Sequence, residues 1–306
     1  MKISIIGCGK VGSALAYTLL ARGKAEEILL IDIDTKRRDG EVLDLIHAQA
    51  PLSHSITILK GDFEDVKGSK VVAITAGLAR KPGESRLDLL RKNANILKEI
   101  LSSLPPLDSK TILFIISNPV DVLTYLAAKY TCLPPKNILG LGTVLDTMRF
   151  KAHIGEYFNV VPSDLEALIL GEHGESMVPI WSLVRVAGIP LREIKGFREE
   201  TKGEIFGRTR QGGALLNESK GGTSWGVAMA CYEVIKALSS SKKRILPITA
   251  LVQDYQGINE VSLSLPTFLS ADGIGEKVEL SLSPEEMEGL KHSAAVLKEA
   301  IKGVEG

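Results

Sequence analysis

The chain has 306 residues, 44% of them hydrophobic, and its 37 basic side chains are balanced by 37 acidic ones. That length accommodates two domains of ordinary size or one large one, with ample apolar material for a core. The zero net charge excludes a global field that recruits nucleic acid or an acidic membrane surface, and no apolar run approaches the roughly 18 residues of a membrane helix.

The three cysteines, Cys8, Cys132 and Cys231, are far apart and odd in number. They fit no zinc spacing and no disulfide framework, so a reducing cytoplasm is expected and no metal is. Strand-like residues begin at Lys2, which leaves no room for a signal peptide. The basic runs Lys36-Arg37-Arg38 and Lys242-Lys243-Arg244 are short and read as solvated surface.

In chain order, apolar β-branched runs at 3–6, 28–33, 71–76, 111–116 and 138–141 alternate with helical patterns. The runs are apolar on both faces, as parallel strands covered by helices must be. Val11, Ala14, Leu15, Thr18 and Leu19 recur at helical spacing, and Gly23 marks the stop. A longer helix begins near Ser85, with Leu87, Leu90, Ala94, Leu97, Leu101 and Leu104 on its inner face, and Pro105-Pro106 ends it. This rhythm predicts an α/β fold with a doubly wound parallel sheet. Beyond it, an apolar strand at 165–170 lies among helical patterns that dominate to about residue 240. Alternating strands follow at 247–253, 260–266 and 277–282, the mark of half-buried antiparallel pairing. Ser283-Pro284-Glu285-Glu286 opens the last helix as a capping box with proline at the first helical position. The reading is a dinucleotide-binding domain over 1–142 and an α+β substrate domain with antiparallel strands over 143–306, the site lying between them.

Gly7-Cys8-Gly9-Lys10-Val11-Gly12 follows the first strand and opens the first helix, the context in which G-x-G-x-x-G has physical meaning. Gly7 allows the tight turn, Gly9 lets a pyrophosphate approach the backbone, and Gly12 lets the helix pack on the strand. Asp32, about 20 residues on, is placed to bind the adenosine ribose hydroxyls and to repel a 2′-phosphate, favouring NAD over NADP. Lys36, Arg37 and Arg38 leave some tolerance of NADP open. Arg80-Lys81-Pro82-Gly83-Glu84-Ser85-Arg86 sets two guanidinium groups on a loop after a strand and Gly77, which suggests a lid over an anionic small molecule. Ser117-Asn118-Pro119 ends the fourth strand, where Asn118 can hold a carbonyl or the nicotinamide amide, or simply turn the chain before proline. Asp146 and Arg149 share a helix face. His173, in Gly171-Glu172-His173-Gly174, follows a strand between glycines that admit a substrate; a carboxylate partner suits it as a general acid/base. His47, His54, His153 and His292 read as surface or packing residues.

These motifs, together and in this order, closely resemble the L-lactate/L-malate dehydrogenase family along the whole chain. The resemblance implies a Rossmann domain and reversible hydride transfer between NAD and a 2-hydroxy acid. It makes His173 the proton donor and acceptor, Asp146 its partner, Arg149 the grip on the substrate carboxylate, and Arg86 the group that polarises the carbonyl. Asn118 assists at substrate and cofactor. The cofactor contacts fall to Gly7, Cys8, Gly9, Lys10, Val11, Gly12, Asp32, Gly77, Asn93, Ile116, Ser117 and Asn118. Arg80 is the discriminating position: arginine there is typical of malate enzymes, and a second guanidinium neutralises a second carboxylate. The expectation is therefore a malate dehydrogenase of the tricarboxylic acid cycle, of the lactate-dehydrogenase-like branch and usually tetrameric. Gly221-Gly222-Thr223-Ser224-Trp225 instead resembles lactate enzymes, with Thr223 lining the pocket or merely starting a helix. Lactate or dual specificity is the alternative. A non-catalytic dinucleotide sensor is more remote, because His173, Asp146, Arg149 and Arg86 are all present.

Overall fold

A computed structural model describes residues 1–79, 83 and 85–305, and only the backbone of Arg86. The first half runs β1 (Lys2–Ile6), α1 (Lys10–Arg22), β2 (Glu27–Ile31), α2 (Thr35–Ala48), β3 (Thr57–Lys60), β4 (Val71–Ile74), α3 (Arg86–Ser103), β5 (Ile112–Ile115), α4 (Val120–Tyr130) and β6 (Ile138–Gly140). These strands are parallel and ordered 3-2-1-4-5-6. Every residue of β4 and β5 is buried, as the absence of polar alternation predicts.

The second half contributes α5 (Val144–Phe158), then the short strands β7 (Leu165–Glu166), β8 (Ile169–Leu170), β9 (Val178–Pro179), β10 (Arg185–Val186) and β11 (Ile189–Pro190). After them come α6 (Glu199–Lys220), α7 (Trp225–Leu238), β12 (Arg244–Val252), β13 (Val261–Ser270), β14 (Gly273–Lys277) and α8 (Pro284–Glu305). The antiparallel strands β12 to β14 do not form a sheet of their own. They extend the parallel one through a Thr249–Gly140 pairing, giving nine strands among the described residues. One face of this sheet is closed by Leu15 and Leu19 of α1 with Val234 and Ile235 of α7. The other is closed by Leu90 and Leu97 of α3, Leu123 of α4 and Leu297 of α8. A smaller cluster of Phe150, Ile154, Leu165, Leu191 and Ile205 sits under α5 and α6. Among the described residues, no helix is long and apolar enough to cross a membrane.

Local chemistry sets the ends of the elements. Gly23 caps α1 in the left-handed region at φ +60°, donating its N–H to Leu20. Ser85 caps α3 by accepting from the Asp88 N–H at 3.0 Å. Both halves of the capping box on α8 are made: Glu286 accepts from the Ser283 N–H at 2.9 Å, and Ser283 from the Glu286 N–H at 3.2 Å.

Strand β3 was not expected, and Arg38, read as solvated surface, is buried against Asp39 and Asp62; four further details differ from the sequence expectations. Strand β2 stops at Ile31, and Ile33 is almost wholly exposed at 98%. Leu87 leaves the core face of α3 and, 40% exposed, lies beside Gly303 of α8. The strand expected at 165–170 is split into β7 and β8, which join two different small sheets. The one expected at 277–282 is strand only at Lys277, the end of β14; beyond it Val278 N still donates to Pro266 O at 2.7 Å, and the Tyr255 hydroxyl donates to Val278 O at 3.1 Å and accepts from the Leu280 N–H at 3.3 Å.

Candidate active site

The carboxyl ends of β1, β2, β4 and β5 open on one side of the sheet, where doubly wound folds hold ligands. The glycine loop 7–12 is there, and its geometry explains each glycine. Gly7 has φ +107°, and a Cβ on it would stand 2.7 Å from Ala76 N. A Cβ on Gly12 would meet Gly7 O at 1.8 Å, so only glycine lets α1 approach β1 this closely. Gly9, by contrast, faces open space and caps α1 without a side-chain bond. The first amides of α1 therefore point into a space able to take an anion. Asp32 is oriented beside them, accepting from Cys8 N at 2.5 Å and Asp34 N at 2.8 Å. Cys8 itself is buried, and burial pushes its thiol up to about 12, so it is inert. The Val11 side chain packs against the core. Lys10 turns away from the loop and donates to Lys220 O and Gly221 O, both at 2.9 Å, at the end of α6. From these two residues the loop offers backbone only.

The opposite wall is built on Asn93 of α3. Its amide donates to Leu78 O at 3.1 Å and Asn118 O at 2.7 Å, while its oxygen accepts from Leu78 N at 2.8 Å. Ser117 donates to Ala76 O at 2.5 Å, and a Cβ on Gly77 would lie 3.5 Å from both Asn93 and Ser117. Ile116 N bonds Ile74 O at 2.9 Å, continuing the pairing of β5 with β4. Asn118 precedes Pro119 through a cis peptide, and its side-chain oxygen accepts from Val120 N at 3.3 Å.

Asp146 and His173, 27 residues apart in the chain, meet at this same edge. The buried carboxylate of Asp146 holds His173 Nδ1 at 2.5 Å through one oxygen and Arg149 Nη1 at 3.1 Å through the other. Arg149 lies between α5 and α6, where a Cβ on Gly212 would be 3.5 Å from its Cδ. Burial works to raise the Asp146 carboxyl, but the attraction of His173 and Arg149 outweighs it and holds the group below the ordinary carboxylate range. Burial likewise works to lower His173, yet the charge and hydrogen bond of Asp146, with help from Asp121, lift its pKa above the usual imidazole value. With Nδ1 committed to Asp146, Nε2 is the nitrogen left to exchange a proton.

The backbone behind the imidazole is pinned from three directions. Gly171 pairs with Ser264 of β13, both N–H···O distances being 3.0 Å. Glu172 N donates to Ser293 Oγ of α8 at 2.6 Å, and His173 N donates to Asp121 Oδ2 of α4 at 2.8 Å. Sequence reasoning missed Asp121. The available signal was an acid between apolar neighbours, Val120 and Val122, in the first turn after Asn118-Pro119. Thr223 is half-buried in the turn between α6 and α7. Arg80, Lys81, Pro82, Glu84 and the Arg86 side chain, and with them the lid reading, lie outside the described residues.

Known proteins resemble the chain over its whole length. Residues 1–140 match the family model described as lactate/malate dehydrogenase, NAD binding domain, and residues 143–306 match its alpha/beta C-terminal domain. A protein of Gloeobacter violaceus named L-lactate dehydrogenase is 38% identical, over 100% of this chain and 94% of its own. Among solved structures, MGS-M5, a lactate dehydrogenase from a Medee basin deep-sea metagenome library, superposes with a TM-score of 0.94 at 34% identity, covering 100% of this chain and 99% of its own. The malate dehydrogenase of Salinibacter ruber gives 0.91 at 29% identity, covering 100% and 98%. Further relatives at 36–38% identity also carry the name L-lactate dehydrogenase. The expectation of malate, and of a tricarboxylic acid cycle enzyme, is thereby corrected. It rests on one loop side chain, Arg80, whereas full-length likeness favours the lactate enzymes over a more distant malate one. What holds for the family as a whole holds here: an oxidoreductase acting on small 2-oxo and 2-hydroxy acids, with NAD as cofactor and a Rossmann sheet to bind it. The chain belongs to the lactate/malate dehydrogenase family.

Proposed function

We propose that the protein is an NAD-dependent L-lactate dehydrogenase that interconverts pyruvate and L-lactate. The observation that carries the chemistry is the double engagement of buried Asp146, which joins a proton-exchanging imidazole to a carboxylate-binding guanidinium. The shared name of the full-length relatives selects the substrate.

In this reading residues 1–142 bind the cofactor and 143–306 supply most of the substrate site. The first amides of α1 hold the pyrophosphate at Gly9, Lys10 and Val11, and Asp32 takes the ribose hydroxyls. Gly7, Cys8 and Gly12 shape the loop, and exposed Ile33 gives the adenine an apolar surface. Gly77, Asn93, Ile116, Ser117 and Asn118 wall the nicotinamide side. NAD, when bound, supplies the hydride acceptor, or the donor when reduced. Arg149 grips the substrate carboxylate with the donors that Asp146 leaves open, a forked geometry suited to two oxygens. His173 presents Nε2 to the 2-oxygen, giving a proton as pyruvate is reduced and taking it back as lactate is oxidised. Asp146 stabilises the imidazolium in between and fixes its tautomer. By resemblance, Arg86 polarises the carbonyl and Thr223 borders the substituent on the second carbon.

We further infer a cytoplasmic homo-oligomer, a tetramer rather than a dimer. Two of the three cysteines, Cys8 and Cys231, are free and buried, which suits a reducing compartment. Exposed Tyr17 and Trp225 flank a groove of about 830 Å³ between α1, α2 and the start of α7, where two large aromatic side chains stand among Lys10, Arg37, Glu41, Asp44 and Lys220, a mixture that associating subunits can cover.

Steady-state reduction of pyruvate and oxaloacetate with NADH, and again with NADPH, tests the substrate and cofactor assignments together. Pyruvate with NADH is expected to give the highest kcat/KM; a higher value for oxaloacetate would sink the lactate reading.

A further inference from the structure

The dehydrogenase reading assigns no role to Asp121, and the role inferred for that residue rests on the reading. This carboxylate sits in the first turn of α4 and is 2% exposed. Its Oδ2 accepts from the His173 N–H at 2.8 Å, and its Oδ1 accepts from the Thr249 hydroxyl. Thr249 Oγ1 lies 2.9 Å from Ser264 Oγ, which in turn accepts from Thr143 N at 3.0 Å. Gly142, at φ +56°, runs alongside: a Cβ there would stand 2.4 Å from Ser264 Oγ and 2.7 Å from Thr249 Oγ1. Gly140 is equally tight, its Cβ position 2.3 Å from Thr124 Oγ1 of α4. Two glycines thus let α4, β12 and β13 close around a carboxylate.

A charge is not needed merely to hold a backbone amide. One residue earlier, the neutral hydroxyl of Ser293 does that for Glu172. Burying a carboxylate is costly, and here burial pushes Asp121 up to about 6 despite the bonds from Thr249 and His173. A buried acid kept in such a place, at the helix end that favours negative charge, points to a use for the charge.

We propose that Asp121 is a positioning residue for proton transfer: it ties the His173 loop to the cofactor-bearing half, and its negative charge helps to hold the imidazole protonated until hydride arrives. The charged groups that face the imidazole are Asp146 and Arg149 from α5 and Asp121 from α4, while Glu172 from the loop itself faces Asp121. The groups met from β12, β13 and α8, Thr249, Ser264 and Ser293, are neutral. Asp146 bonds the ring directly, whereas Asp121 bonds only the backbone, so its effect on the ring is through space.

Reduction of the 2-oxo acid needs imidazolium, and a negative charge nearby raises the pH at which the imidazolium is lost. Asp121→Asn keeps an oxygen to accept from the His173 N–H and removes the charge. Its folding is checked by thermal melting and its cofactor site by NADH fluorescence titration. Melting and NADH affinity close to those of the unaltered enzyme are expected. The alkaline limb of kcat/KM for the 2-oxo acid is expected to move down by roughly half a pH unit or more. An unmoved limb in folded Asp121→Asn would overturn the proposal, leaving Asp121 a structural tie. If Asp121→Asn does not fold, Asp121→Ser carries the same two outcomes, and failure of both to fold also overturns it. The limb is read with whichever 2-oxo acid the enzyme reduces, so a wrong substrate and a wrong role for Asp121 give different results.

Discussion

In the proposed mechanism, His173 is the side chain whose environment most directly sets activity. Its pKa stands above the ordinary 6.5 of an imidazole, because Asp146 bonds Nδ1 and outweighs the effect of burial. For the proposed reduction of pyruvate the imidazolium is the active form. Activity is therefore full well below the raised value and falls as pH rises through it. Lactate oxidation needs the neutral ring and falls as pH drops through it. A pH profile of kcat/KM in both directions is expected to show these opposed limbs, each above 6.5. Asp146→Asn removes the charge that lifts the imidazole. It should pull both limbs down and reduce kcat by about 10²–10⁴-fold, with NADH affinity retained. An unchanged profile in that variant would remove Asp146 from its role. His173→Asn is expected to lose activity by at least as much, measured in the same assay.

At the scale of elements, the crossing of α1 over β1 depends on Gly12. A methyl group there would stand 1.8 Å from Gly7 O, a backbone atom that cannot swing aside. Gly12→Ala is expected to cost about 1–3 kcal/mol, seen as a lower melting temperature. It should also weaken NADH by more than tenfold in a fluorescence titration, because the loop must open. A variant with unaltered melting and NADH affinity would show that the loop is more pliable than its geometry implies. This motif was legible in the sequence because it is local, with six consecutive residues carrying turn, anion space and packing. His173 was legible for the same reason, standing between glycines at a strand end. Its anchors were not. Asp121 lies 52 residues away in the chain and Ser293 lies 121 residues from Glu172, and no short pattern records such meetings. The irregular segment after β14 looks apolar and alternating, yet the side chains of Tyr255 and Gln256 take several of its backbone bonds. Periodicity reports which side chains are apolar, not which partner the backbone finds. Substrate choice was the least legible feature, because it was read mainly from Arg80, against the contrary likeness of the segment from Gly221 to Trp225.

For the whole molecule, association is the first question. Light scattering is expected to give the mass of a tetramer. Trp225, 67% exposed in the same groove as Tyr17, offers a direct probe, since Trp225→Lys removes a large aromatic contact and sets a second ammonium beside Lys220. A lower mass for this variant, with melting of the remaining species still cooperative, is the expected outcome; an unchanged mass would place the contact elsewhere. The second question is order of formation. Strand β6 finishes one half of the molecule, but its outer edge is covered only when Thr249 pairs with Gly140. That covering strand leaves the ribosome roughly a hundred residues later. At about 5–20 residues per second, a wholly apolar strand edge stays bare for on the order of ten seconds of synthesis. A chain ended after Gly142 makes that interval permanent, and it is expected to pellet when expressed alone. The nascent protein thus passes through a stage in which its cofactor half is nearly built and also at its most adhesive.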